Sequence, residues 1–84
     1  MNTQKNTKVF ITAIKFNTTH YLANLLATRK ILNIPMNIAR TLCKNKPNEW
    51  IELVPYIEIN SKNCLDHVIM ELDEYEIEIK TLNQ

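Results

Sequence analysis

The clearest periodic signal in the chain is Leu65, Val68, Ile69 and Leu72, apolar at i, i+3, i+4 and i+7. That spacing puts all four on one helical face and predicts a helix over about 62–74, with Ser61 as its cap. Glu76-Ile-Glu-Ile-Lys80 then alternates strictly, as a strand with one wet face does. Val9-Phe-Ile-Thr-Ala-Ile-Lys-Phe16 also reads as a strand, β-branched and aromatic but apolar at both parities. A regular strand would put Phe10, Thr12, Ile14 and Phe16 on one face and Val9, Ile11, Ala13 and Lys15 on the other.

Between these ends the period is helical. Tyr21, Leu22, Leu25, Leu26 and Leu32 follow steps of three and four, predicting a helix over about 20–31 capped by Asn17-Thr-Thr19. Asn33 is expected to close it in the left-handed conformation, and Pro35 to open a second helix over about 35–44. That helix places Met36, Ala39, Leu42 and Cys43 inward, and Asn45-Lys-Pro47-Asn ends it. Residues 50–59 are apolar but broken by Pro55, so a short edge strand is expected over Tyr56–Ile59. The order β-α-α-β-α-β predicts an α+β two-layer sandwich, three helices on one face of a small, mostly antiparallel sheet. The expected layout is a frayed terminus over 1–7 and a single domain over 8–82.

Composition narrows what such a domain can do. The 84 residues are 45% hydrophobic and 23% charged, which is ordinary globular material. There is no glycine, which excludes Walker and Rossmann phosphate loops. It also means that positive-φ turn positions fall mostly to Asn or Asp. Ile and Asn occur eleven times each, a bias that A+T-rich codons explain without function. No run is long and apolar enough for a membrane helix, and residues 1–8 lack a signal-peptide core, so a cytoplasmic protein without membrane contact is expected. In that setting Cys43 and Cys64 read as thiols.

Charge is segregated behind a net value of +1: residues 1–48 carry eight basic side chains and no acid, residues 49–84 nine acids and two lysines. A basic face for nucleic acid would use Lys8, Lys15, Arg29, Lys30, Arg40, Lys44 and Lys46 with Tyr21. The favoured expectation is that the two halves interleave and neutralise one another. Trp50 and Tyr56 sit beside prolines and are expected to pack.

Catalytic and metal chemistry find little purchase. Cys64 and His67 stand at i, i+3, with His20 and Cys43 elsewhere, but the spacing fits no zinc finger. Glu76 and Glu78 are two apart on an expected strand, a solvated face rather than an acid/base pair. Ser61, the only serine, reads as a cap. No catalytic residue, metal, cofactor or small-molecule substrate is expected, and the chain is not expected to be an enzyme.

The stretch Asn33-Ile-Pro-Met-Asn-Ile-Ala-Arg-Thr-Leu-Cys-Lys-Asn-Lys-Pro47 resembles the helix–turn–helix of the C-terminal domain of the bacterial ribosomal stalk protein. That family carries Gly-Leu-Gly-Leu-Lys-Glu-Ala-Lys-x-Leu-Val there, with a proline at the same interval. Ile34, Met36 and Leu42 fall on its leucines, Ala39 on its alanine and Arg40 on its second lysine. Arg29 falls on an arginine of the family's first helix, and Asn24 and Thr28 on valines. Ser61-Lys62 resembles the family's Ser-Lys cap, and Glu76 to Lys80 its closing Glu-Val-Glu-Val-Lys strand. The likeness spans about 20–80; Asn33 and Pro35 replace both motif glycines, and several residues are inserted between Pro47 and Ser61. The same fold class includes the ClpS protease adaptors, which Phe16-Asn-Thr-Thr19 resembles faintly, without their paired aspartates.

What the stalk resemblance implies is recruitment without catalysis: that domain binds translation GTPases through its first helix and the start of its second. Carried over by position, the partner-binding residues are Tyr21, Leu22, Leu25, Leu26, Arg29, Ile38 and Arg40. Leu22, Leu25, Arg29 and Arg40 keep the family's character, whereas Tyr21 and Leu26 replace lysines and Ile38 a glutamate, a more apolar surface. The family's dimerisation domain and hinge have no counterpart here. The expectation is a free-standing recruitment module, of bacterial or mobile-element type, whose partner is another protein. Its alternatives are a small RNA- or DNA-binding module and a ClpS-like adaptor.

Overall fold

A computed structural model describes residues 8–44, 46–59 and 65–83. The elements run β1 (Val9–Phe16), α1 (Tyr21–Leu32), α2 (Met36–Cys43), β2 (Trp50–Ile59), α3 (Leu65–Asp73) and β3 (Ile77–Asn83). This is the expected β-α-α-β-α-β order and an α+β domain. The three strands form one sheet in the order β2-β1-β3, antiparallel throughout. The expected frayed terminus over 1–7, the Ser61 cap, the start of the third helix and Cys64 all lie outside the described residues.

The conflict of parities in β1 is resolved by a bulge at Thr12. On the β3 side, Ile11 pairs with Thr81 and Ala13 with Lys80, so β1 spends one extra residue. Val9 and Ile11 face the helices before it, and Ile14 and Phe16 after it. All four are buried, Ile11 and Ile14 completely. The two-face division of a regular strand is therefore wrong here: a one-residue offset moves every later side chain across the sheet.

The other neighbour of Thr12 is irregular too. Ile11 pairs with Ile57 and Ala13 with Glu52, leaving Leu53, Val54, Pro55 and Tyr56 opposite Thr12. Leu53 turns into the core while Val54 stands out, 89% exposed. Pro55 follows a cis peptide bond within this outward loop of β2. The strand thus runs through 50–59 instead of starting after the proline, because an edge strand can shed a residue that donates no hydrogen bond.

Inner-face rows such as Ile14 with Ile51 and Ile79, and Phe16 with Ile77, meet the helices. Ile11, Ile14, Phe16, Ala27, Leu42, Leu53, Val68 and Leu72 belong to one core cluster. Asn33 closes α1 in the left-handed region (φ 56°). The other positive-φ positions among the described residues are Asn48 and Glu76. Glu76 is thus a turn residue and not the first residue of β3, and its amide donates to the Asp73 carbonyl to close α3 (2.9 Å).

Candidate functional site

Helix α1 lies between α2 and α3, and this sandwiching decides which residues it shows. Its buried face is Asn24, Leu25, Ala27, Thr28 and Leu32. The apolar residues of α1 are too many for one buried stripe, and Leu22 and Leu26 are among those left outside it, 69% and 59% exposed. Small side chains such as Ala27 and Thr28 let neighbouring elements close over the helix, which longer leucines would hold apart. Leu22, Leu26, Arg29 and Lys30 consequently form an outward crest.

Two polar residues take the inward places, and both are satisfied. Thr28 Oγ1 donates to the Asn24 carbonyl at 2.6 Å, and Asn24 Nδ2 donates to the Thr18 carbonyl at 3.3 Å. The second bond ties down the loop before α1. The side-chain cap expected from Asn17-Thr-Thr19 does not form, since His20 occupies the cap position without a side-chain bond.

The seven expected partner-binding residues do not make one patch. Tyr21, Leu22, Leu26 and Arg29 are exposed on α1, but Leu25 is buried and serves packing. On α2, Arg40 is exposed, while Ile38 points elsewhere. It lines an apolar groove of about 420 Å³ between α2 and β2, with Val54, Pro55 and Tyr56. Two residues apart on a helix means about 200° of rotation, so Ile38 and Arg40 serve different surfaces.

A larger groove, about 810 Å³, runs between α1 and α3. Leu26, Arg29 and Lys30 line it from α1; Glu71 from α3, with Glu74 and Tyr75 just beyond that helix, lines the opposite side. Ile69 and Met70 on α3 are 43% and 66% exposed, so the third helix buries a narrower stripe than the four-residue one expected. Helix α3 has packed neighbours along α1 and β3, and only Val68 and Leu72 sit fully between them. The residues of this groove that lie beyond residue 65 have no signal in periodicity. Their meeting with α1 is a product of the fold.

The charged halves neutralise one another on the sheet but not across the helices. On the outer sheet face Lys15 Nζ sits 3.3 Å from Glu78 Oε2. The Asn17 side-chain amide also donates to Glu78, and these contacts hold its carboxyl below the usual range. Lys15 and Lys80 lie 5.1 and 4.6 Å from the centroid of Trp50, which stays 39% exposed instead of packing into the core. Tyr56 likewise remains exposed, on the β2 bulge. In the helical layer, α1 and α2 carry Arg29, Lys30 and Arg40 without an acid, and α3 carries Asp66, Glu71 and Asp73.

Among the described residues no group of three or more His, Cys, Asp or Glu is gathered to hold an ion. His67 Nε2 lies 4.0 Å from Glu71 Oε2. Cys43 is half-buried with its Sγ 4.0 Å from Thr28 Oγ1; burial pushes the thiol up, and the Thr28 contact opposes this. Among the described residues no helix is long and apolar enough to cross a membrane. No family model, curated protein or solved structure matches the chain.

Proposed function

We propose that this chain is a non-enzymatic protein-recruitment module that binds another protein through the exposed crest of α1, with the exposed Arg40 of α2 as a further contact. The observation that carries this reading is that Leu22 and Leu26 project from a helix whose other face is already fully used in packing. Apolar anchors on the same helix as Arg29 and Lys30 have the composition of an interface centre. The stalk-domain resemblance supports the same helix as the contact element. Asn24 and Thr28 fall on valines of that family, and both are buried here, at 4% and 0% exposure. A role in recruiting translation GTPases belongs to the resemblance alone.

The nucleic-acid alternative has less support. Its best aromatic platform, Trp50, is already flanked by two ammonium groups, and the same sheet face carries Glu52, Glu58 and Glu78. The test is capture of partners from native lysate by the immobilised chain, with and without nuclease, beside Leu22→Lys. Because Leu22 is exposed, the variant is expected to keep wild-type stability while binding falls about tenfold or more. Undiminished capture by the variant refutes the crest. Capture abolished by nuclease transfers the reading to nucleic acid.

A further inference from the structure

The α1/α3 groove brings opposite charges together without pairing them. Arg29 and Lys30 stand on one side, Glu71 and Glu74 on the other. Among the described residues, no ion pair joins the two sides: Lys15–Glu78 and His67–Glu71 are the pairs formed. Two residues lining the groove are apolar and exposed, Leu26 on α1 and Tyr75 just beyond α3. The α2/β2 groove has no such balance, with Glu52 as its single charged lining residue.

We propose that the occupant of the α1/α3 face is a second copy of this chain, bound across a two-fold axis running along the groove. Rotation about such an axis preserves position along the groove and exchanges its sides. It therefore lays α1 of one protomer over α3 of its partner, and α3 over α1, as an isologous interface requires. The basic α1 rim then meets an acidic α3 rim twice, while Leu26 and Tyr75 leave water between them. Complementary potentials of this kind fix the register and exclude α1-on-α1 packing, where like charges would meet. The inference goes beyond the recruitment reading and does not rest on it. The two are linked, since a dimer covers Leu26 and Arg29 and frees the crest only on dissociation.

Sedimentation velocity of the purified chain at low salt, up to about 1 mM, tests it without any second protein. The expected result is a concentration-dependent dimer that weakens as salt screens the rims. Two charge-reversed proteins, Arg29→Glu with Lys30→Glu and Glu71→Lys with Glu74→Lys, should each dimerise at least about tenfold more weakly. Mixed in equal amounts they should recover a heterodimer, because one rim contact is then the native pairing and the other is attractive with its signs exchanged. Circular dichroism melts identify any variant that fails to fold, and the wild-type chain tests the dimer by itself. A wild-type chain monomeric throughout overturns the proposal. So does a dimer indifferent to both reversals, or a mixture that stays monomeric. Capture of a different protein by a strictly monomeric chain would assign the face to that protein instead.

Discussion

The bulge at Thr12 makes an energetic claim that two conservative substitutions can test. A straight β1 would bury either Ile11 or Ile14 against the helices and leave the other on the open sheet face. With the bulge both are completely buried. Ile11→Val and Ile14→Val each remove one methylene, worth about 0.8 kcal/mol in transfer and roughly 0.5–1.5 kcal/mol with the cavity included. Alanine would remove three carbons and cost about 2–5 kcal/mol, a large share of the roughly 4–13 kcal/mol available to a domain this small. Valine keeps both variants folded and measurable. Urea unfolding with a slope near 1 kcal/mol/M should show both midpoints lowered by about 0.5–1.5 M at unchanged slope. Thr12→Ala loses only a long 3.4 Å bond to the Lys80 carbonyl and should cost under about 0.5 kcal/mol. A measurable loss at one isoleucine and none at the other would refute the bulge. Deleting Thr12 outright should still give a folded protein, since Val9, Ile11, Ile14 and Phe16 then alternate without interruption.

The remaining predictions concern single side chains. Glu76 sits at φ 59°, where a Cβ costs about 1–2 kcal/mol. Glu76→Gly should therefore stabilise by about 0.5–1 kcal/mol in the same urea assay after its entropic cost, and destabilisation would reject the strain. Thr28→Val removes a hydroxyl that bonds back to the Asn24 carbonyl; stability should rise by up to about 1 kcal/mol, and a loss above about 2 would show the hydroxyl to be required. Because burial raises the Cys43 thiol above the ordinary thiol value, its contribution to stability is complete below the unfolded value and is lost as pH rises through the folded one. Thiolate absorbance in a Cys64→Ser background should titrate late, and later still with Thr28→Val; a midpoint below about 8.5 contradicts the burial. Glu78, held low first by Asn17 and then by Lys15, contributes stability above the ordinary glutamate range that is lost as pH falls through its folded value. Carboxyl NMR should show Asn17→Ala and Lys15→Ala each moving the carboxyl back up toward the ordinary value, and a value unmoved by either substitution would reject the assignment.

Much of the fold was legible because local chemistry and tertiary structure agree. Asn33 and Pro35 mark the α1–α2 junction by conformational preference alone. The strict alternation after Glu76 and the helical steps through Val68 and Leu72 each have one reading. The crest of α1 was legible only in part. Four apolar residues at its start exceed what one buried stripe can hold, so some had to be exposed, but the pattern did not say which.

What the sequence by itself determined is the order of elements and their type, since a period of two or 3.6 is a property of a short segment. The tertiary structure alone decided which face of each segment is inside. Thr12 as surplus residue, Thr28 in place of Leu26 as the packed side of α1, and the outward turn of Val54 all depend on neighbours far along the chain. It also decided where charge is left unpaired. Lys15 meets Glu78 because β1 and β3 are adjacent, while Arg29 and Glu74 share a groove without joining. A side chain's partners follow from packing in three dimensions, and no window of sequence contains them.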